Sequence, residues 1–122
     1  MNNKKIDINL KCKIDGDIYP DEIVTPLHKA INVGNTEIVN ELLNCKEINI
    51  NLPSYYLVNG TYDYIDETPL DRALENENAE IVEILLNHEK IGITLNNDEI
   101  FSCIDYAIHK GNLKIIQLLL QK

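Results

Sequence analysis

The chain has 122 residues, of which 44% are hydrophobic and 25% charged, a composition typical of one small globular domain, and its net charge is −9. No apolar run approaches the roughly 20 residues of a membrane span, and residues 1–10 lack an apolar signal-peptide core, so we expect a soluble cytoplasmic protein that does not bind membranes. The acidic balance argues against nucleic-acid binding, because phosphate contacts need a basic patch.

The net charge is concentrated in the middle of the chain. From Cys45 to Ser102 there are 12 acidic and 3 basic residues, whereas the remainder carries 8 of each. An acidic centre suits a protein partner with a basic surface, which electrostatic attraction would steer into contact. The alternative is a solvated acidic surface that only keeps the protein soluble, and the composition favours neither.

The cysteines and histidines are scattered. Cys12, Cys45 and Cys103 form no C-x-x-C pair, and the three histidines have no zinc-ligand spacing. We therefore expect reduced thiols, no disulfide framework and no metal site.

The first predicted element is a hairpin over residues about 6–24. It begins with the alternating stretch Ile6–Leu10, which is typical of a short β-like strand, and Asp15-Gly16-Asp17 indicates its turn. The same alternation recurs at 48–52 and 91–95, so further hairpins are predicted at about 48–67 and 91–101.

A pair of short helices follows the first hairpin. Thr25 can cap the first helix, with Pro26 at its first position, and Gly34 ends it. One apolar stripe then comes from Leu27, Ala30 and Ile31. The second helix carries the apolar residues Ile38, Val39, Leu42 and Leu43.

The second hairpin holds four of the six tyrosines, Tyr55, Tyr56, Tyr62 and Tyr64, together with Asp63, Asp66 and Glu67. Tyrosine is enriched at interface hot spots because it supplies large, rigid, amphipathic contact area. We therefore predict partner-binding roles for Tyr55, Tyr56, Tyr62, Asp63, Tyr64 and Asp66. The alternative is that these tyrosines pair across the strands and only stabilise the hairpin.

Two further copies of the helix pair begin near Thr68 and Ser102. In the second copy Glu77-Asn78 replaces Gly34-Asn35, so we expect an asparagine to end that helix. In the third copy Ser102 takes the capping position and Cys103 replaces the proline. Helices this short need stacking for stability, which predicts a repeat solenoid.

The Thr-Pro-Leu-His-x-Ala motif at 25–30, the Gly-Asn turn and the Glu-Ile-Val-x-x-Leu-Leu helix resemble the ankyrin repeat, and the resemblance covers about residues 6–122. It implies a mainly α solenoid of three helix pairs with hairpin loops, a protein-binding role, and neither catalysis nor a cofactor. We take residues 1–122 as one domain. Its repeats start 43 and 34 residues apart, against about 33 for the family, which points to enlarged hairpins.

The resemblance also suggests which other residues bind or stabilise. His28 is expected to hydrogen-bond the repeat turns, so no catalytic residue is proposed. Binding positions on the first helices are expected to be exposed on the concave face: Lys29, Asn32, Arg72, Glu75, Asn76, Tyr106 and His109.

The C-terminal helix leaves three interpretations open. Equivalent outer positions, Glu41, Ile84 and Leu118, become apolar toward the C-terminus. This pattern fits dimerisation through the last helix, a longer parent scaffold, or tolerated exposure. The sequence therefore predicts a non-catalytic protein-binding module. The alternatives are a small acidic inhibitor of immunity or antitoxin type that neutralises a basic enzyme, and a fragment of a larger ankyrin scaffold.

Overall fold

The computed structural model describes residues 6–14, 21–58, 61–91 and 96–121, and for 12–14, 21, 56–58 and 61–66 it describes the backbone alone. The described strands are β1 (Cys12–Ile14), β2 (Asp21–Val24), β3 (Ser54–Val58) and β4 (Thr61–Glu67). The described helices are α1 (Pro26–Val33), α2 (Thr36–Leu43), α3 (Pro69–Glu75), α4 (Ala79–Leu86), α5 (Asn97–Lys110) and α6 (Leu113–Leu120). The fold is mainly helical, and the predicted stack of three helix pairs is confirmed.

Local capping signals set the ends of the first four helices. Thr25 and Thr68 each accept a hydrogen bond from the backbone N–H three residues later, and the side chain at that position bonds back to complete a capping box. Gly34 adopts a left-handed conformation, with a φ of 80°, at the end of α1. At the equivalent position after α3 the left-handed residue is Glu77, with a φ of 53°, whereas Asn78 caps α4. Helix α3 nevertheless ends at the C-cap Asn76, so an asparagine does end this helix as expected, although the left-handed position belongs to Glu77.

The third copy starts earlier than predicted. Helix α5 begins at Asn97, and its N-cap is Asn96, whose side chain accepts a hydrogen bond from the backbone N–H of Glu99 at 2.8 Å. Ser102 lies inside this helix and donates its hydroxyl to the carbonyl of Asp98. The missing proline explains the difference, because Cys103 leaves the preceding residues free to remain helical. The prediction of a third hairpin that extends to residue 101 is thus wrong.

The alternating stretches Ile6–Leu10 and Ile48–Leu52 are turns, not the strands that we predicted. The side chain of Asn9 bonds both the carbonyl of Glu47 and the backbone N–H of Asn49 at 2.8 Å. Such side-chain bonds compete with a strand ladder and hold the two turns together. The alternation therefore reflects burial of isoleucines such as Ile48 and Ile50. In the third stretch, residues 92–95 lie outside the part of the chain that the structure describes.

The two long hairpins join into one antiparallel sheet in the order β1-β2-β3-β4. Within them β1 pairs with β2 and β3 with β4, and the second register brings Val58 opposite Thr61. Between them β2 pairs with β3, so Glu22 lies opposite Tyr56 and Ile23 opposite Tyr55. The predicted turn at 15–17 lies outside the described residues, and so do residues 59–60 between β3 and β4. The sheet gives the loop side of the stack one continuous surface.

The core runs along the stack between successive helix pairs. Small buried alanines, Ala30, Ala73 and Ala107, occupy the same position in the three first helices, which lets α1, α3 and α5 pack closely. Buried isoleucines and leucines of α2, α4 and α6 complete it. Stacking in this way buries the apolar stripe of each helix pair against its neighbour.

Candidate functional site

Arg72 lies at the point where the sheet meets the helices, and its side chain is buried, with 6% of the residue exposed. Its guanidinium donates to the carboxylates of Glu22 on β2 and Glu67 on β4, to the hydroxyl of Ser54 on β3 at 3.2 Å, and to the amide oxygen of Asn32 on α1 at 3.1 Å. The prediction that Arg72 is exposed for partner binding is wrong. It fastens three strands to two helices instead.

His28 makes the second connection between helices and sheet. Its ring is fully buried, with Nε2 2.9 Å from the carbonyl of Glu67 and Nδ1 2.8 Å from the hydroxyl of Thr25. A carbonyl can only accept, so Nε2 carries the proton of the neutral ring. Burial lowers the pKa of His28, and this outweighs the hydrogen bond to Glu67. The ring therefore ties the repeat turn to β4, as the resemblance implies.

A groove of about 800 Å³ opens between the second and third repeats. One wall is the end of β4 and helix α3, and the other is α5, whose early start extends that wall past the position where α3 begins. We call it the inter-repeat groove. Its described lining residues are Asn51, Glu67, Thr68, Leu70, Asp71, Leu74, Glu75, Ile91, Asn96, Asp98, Glu99, Ser102, Cys103 and Tyr106.

The inter-repeat groove is acidic around an apolar floor. Glu67, Asp71 and Glu75 lie on one wall and Asp98 and Glu99 on the other, and the described lining contains no lysine or arginine. The floor includes the buried side chains Leu70, Leu74, Ile91 and Cys103. A segment that combines a cationic end with an apolar stem matches these two environments.

Glu67 lies between Arg72 and Glu75, and its environment shifts its titration. Burial, followed by a hydrogen bond with the Glu75 side chain, raises the pKa of Glu67 to about 7, although Arg72 acts in the opposite direction. The Glu67 carboxyl therefore takes up a proton near neutral pH. A cation placed beside Glu67 would favour release of that proton, because positive charge stabilises the carboxylate.

Cys103 has no activated thiol. Burial, together with Asp71 and Glu99, raises the pKa of its thiol to about 11, so the sulfur keeps its proton at neutral pH.

In the part of the chain that the structure describes, no three histidine, cysteine or acidic side chains are grouped so that they could hold a metal ion. No helix among the described residues has the length and apolar character that a membrane crossing needs.

The other predicted binding residues lie in the inter-repeat groove, at the ends of α3 and α5, and on the strands β3 and β4. Glu75 and Tyr106 line the inter-repeat groove, and the Nζ of Lys110 lies 5.5 Å from the centre of the Tyr106 ring. Asn76 and His109 are exposed at the ends of α3 and α5.

The hairpin residues lie on β3 and β4. The Tyr55 ring is half-buried beneath the Nζ of Lys11 at 4.5 Å. In the strand register Tyr56 lies opposite Asp63, and Leu57 opposite Tyr62. Predicted residues whose side chains lie outside the described part of the structure are Tyr56, Tyr62, Asp63, Tyr64 and Asp66.

Sequence reasoning missed the groove residues on α5. Asp98, Glu99 and Cys103 became part of a site only because α5 starts at Asn97. A signal existed, since Asn96 followed three residues later by Glu99 is a pattern typical of a helix start. The sequence places Glu67 only in the second hairpin, and nothing in its local pattern assigns it to a groove.

Comparisons with known proteins agree with this architecture. A family model of ankyrin repeats in three copies matches residues 2–99 and 55–122. No curated protein and no solved structure gives a significant match.

Proposed function

The chain belongs to the ankyrin-repeat family, and we propose that it binds a protein partner by taking a basic segment of that partner into the inter-repeat groove. Ankyrin repeats are generally modules for protein–protein interaction, and the family is typically non-catalytic. The observation that carries the proposal is the groove itself, with five carboxylates in its described lining and no basic residue. A lysine or arginine of the partner would place its cation among them and its stem on Leu70 and Leu74.

The sheet supplies the neighbouring contact surface of this proposal. Glu67 ends β4 and also lines the groove, so the second hairpin and the groove are continuous. The partner-binding role predicted for Tyr56, Tyr62 and Tyr64 of β3 and β4 belongs to this proposal. Replacing these three tyrosines with alanine should weaken binding and leave the fold intact. An unfolded variant would instead support a purely structural role for the hairpin tyrosines.

The direct test uses charge-neutral variants of the groove. Glu75→Gln with Glu99→Gln removes two exposed carboxylates of the groove, whereas Glu37→Gln with Glu80→Gln removes the same charge from α2 and α4, outside it. With a lysine- and arginine-rich peptide as the probe, isothermal titration calorimetry should show at least ~10-fold weaker binding for the groove variant, and about 2-fold or less for the control.

The same four substitutions make a cellular test. A partner captured from cell extract should stay with the wild-type chain and the Glu37→Gln, Glu80→Gln control, and be lost from the groove variant. Equal losses from both variants would show that total charge matters and the groove does not. Equal retention by both would exclude the groove as the binding site.

A second candidate function is inhibition of a basic enzyme, which the acidic centre of the chain favours. An inhibitor of this kind should associate rapidly, with an on-rate that falls steeply as salt rises, because long-range attraction between opposite charges is screened. Stopped-flow mixing with the captured partner at low and high salt measures this dependence. An on-rate indifferent to salt would remove the charge argument.

A cytoplasmic location is the remaining part of this proposal. Cys45 and Cys103 are free thiols, which suits a reducing compartment.

A further inference from the structure

The last repeat exposes residues that the first two repeats bury. Ile31 of α1 and Leu74 of α3 are 1% and 3% exposed, whereas Ile108 at the same position of α5 is 59% exposed. In the first two repeats this position is covered by the next helix pair of the stack. The apolar side chain is therefore retained in the third repeat where no described helix pair covers it.

The second helices repeat this pattern. Leu43 of α2 and Leu86 of α4 are 6% and 2% exposed, and Leu120 of α6 is 68% exposed. Two more residues at stacking positions of the last repeat are half-buried: Ile104 and Ile116. Together Ile104, Ile108, Ile116 and Leu120 form what we call the C-terminal stacking face.

The opposite end of the molecule has the complementary surface. Ile81 and Ile115 are fully buried against the preceding helix pair, whereas Ile38 at the same position of α2 is 48% exposed. Glu41 and Leu42 lie beside it, exposed and half-buried. We call Ile38, Glu41 and Leu42 the N-terminal stacking face.

The burial of Leu118 indicates that Glu41, the residue at the same position of α2, belongs to the N-terminal stacking face. Leu118 was expected to point outward, but it is buried, and it shares a crevice with α4. Its equivalent in α2 is Glu41. The crevice is lined by Glu83, Leu86, Asn87, Leu118 and Gln121.

The polar residues of the two stacking faces are also compatible. Moving the α4–α6 contact along by one repeat would bring Glu41 of a second copy against Gln117, Leu120 and Gln121, the equivalents of Glu83, Leu86 and Asn87. Glu83 would repel that carboxylate, but Gln117 stands in its place and can donate a hydrogen bond to it. The charge change at position 117 thus suits a glutamate from the next copy.

We propose that copies of this chain associate head to tail, with the N-terminal stacking face of one copy covering the C-terminal stacking face of the next. The contact continues the packing that already joins α2 to α4 and α4 to α6. Contacts of this kind join different surfaces on the two copies and remain open at both ends, so assembly can proceed beyond a dimer.

Sedimentation velocity over a wide concentration range tests the proposal. The wild-type mass should rise above the 14.0 kDa of one chain and continue to rise past the dimer. Ile38→Glu and Leu120→Glu each block one face, and each should weaken association at least ~10-fold. Val33→Glu is the matched control, because Val33 is exposed and its equivalents in the later repeats, Asn76 and Lys110, are exposed even though a repeat precedes them, so this position lies outside the stacking contact and the variant should behave as the wild type.

Mixing the two blocked variants fixes the direction of assembly. Each retains one open face of opposite kind, so an equimolar mixture should form a closed dimer and stop there. An Ile38→Glu variant that still dimerises alone would overturn the head-to-tail arrangement in favour of two C-terminal faces meeting. A wild-type chain that keeps the mass of one copy at the highest soluble concentration would overturn self-association and leave the face to another protein segment.

Both substitutions are compatible with the fold. Ile38 is the third residue of α2, where a glutamate can pair with the cap Asn35, and Leu120 is exposed at the last position of α6. Circular dichroism checks each variant. If Leu120→Glu failed to fold, Ile108→Glu would block the same face.

Discussion

Replacing Arg72 with methionine separates a structural role from a binding role. Arg72 and its carboxylate partners Glu22 and Glu67 have side chains that are 7%, 16% and 15% exposed, so water can replace little of what is lost. Methionine fills much of the volume and leaves the Glu22 carboxylate without its cation, whereas Glu67, whose pKa is already raised to about 7, can take up a proton. Breaking a buried ion pair by removing one partner costs about 3–5 kcal/mol.

The structure places this perturbation within that range. Arg72 also donates to Ser54, which is fully buried, and to Asn32, so four contacts are lost at once. For a chain of this length we expect a fall in melting temperature of ~10–20 °C, measured by differential scanning calorimetry or by circular dichroism. Urea denaturation should give the same loss as a free energy of unfolding.

A compensated variant tests the reasoning behind the number. Adding Glu22→Gln and Glu67→Gln to Arg72→Met removes the unpaired carboxylates and should recover more than half of the loss, because neutral amides cost less to bury. Arg72→Lys keeps the charge but lacks the planar fork that reaches several acceptors, so it should fall between the two. A loss below ~1 kcal/mol for Arg72→Met would refute the structural role and return Arg72 to the set of contact residues.

Two further predictions concern single residues. Glu77→Gly should raise the free energy of unfolding by ~0.5–1 kcal/mol, because Glu77 holds a left-handed conformation that glycine adopts without strain. Gly111→Ala is the control. Nothing lies within 4 Å of the carbon that it adds, so it should destabilise the fold through the left-handed backbone alone. The pKa of Glu67 rises from 4.5 to about 7 on folding, so the native chain holds a proton that the unfolded chain has released, and stability should fall as pH rises through this interval. Between pH 5 and pH 8, urea denaturation should show that the free energy of unfolding declines more in the wild type than in Glu67→Gln, by about 1–3 kcal/mol. The lowered pKa of His28 has the opposite effect on stability, below pH 6.5. Both proteins contain His28, so its effect cancels from this difference. An identical decline in both proteins, or a gain for Gly111→Ala, would contradict these assignments.

The helix pairs could be predicted because their signals are local. Thr25 and Pro26, or Gly34 and Asn35, specify a helix start or a turn within four residues, whatever the rest of the chain does. The earlier start of α5 is signalled just as locally, by Asn96 and Glu99, but the equivalence of Ser102 with Thr25 and Thr68 predicts a later start. The absence of a proline at Cys103 was the sequence signal of that change.

The joined sheet and the Arg72 cluster could not be predicted from local pattern. Glu22 and Arg72 are 50 residues apart, and their contact exists only after β2 has paired with β3. An arginine one turn into a helix reads as an exposed position in any single repeat, because burial there comes from strands of other repeats. The same limit applies to the inter-repeat groove, whose walls come from α3 and α5.

The two proposed interfaces lie on different parts of the molecule and can be separated experimentally. The inter-repeat groove lies in the part of the chain that carries the whole net charge, whereas both stacking faces belong to the ends, where acidic and basic residues balance. Basic-peptide binding should therefore depend strongly on salt, and apolar stacking of the ends only weakly. Leu120→Glu should weaken association at least ~10-fold yet bind the peptide as the wild type does, and Glu75→Gln with Glu99→Gln should weaken peptide binding yet associate as the wild type does. If one substitution removed both activities, the groove and the stacking faces would be parts of a single interface, because independent surfaces respond independently.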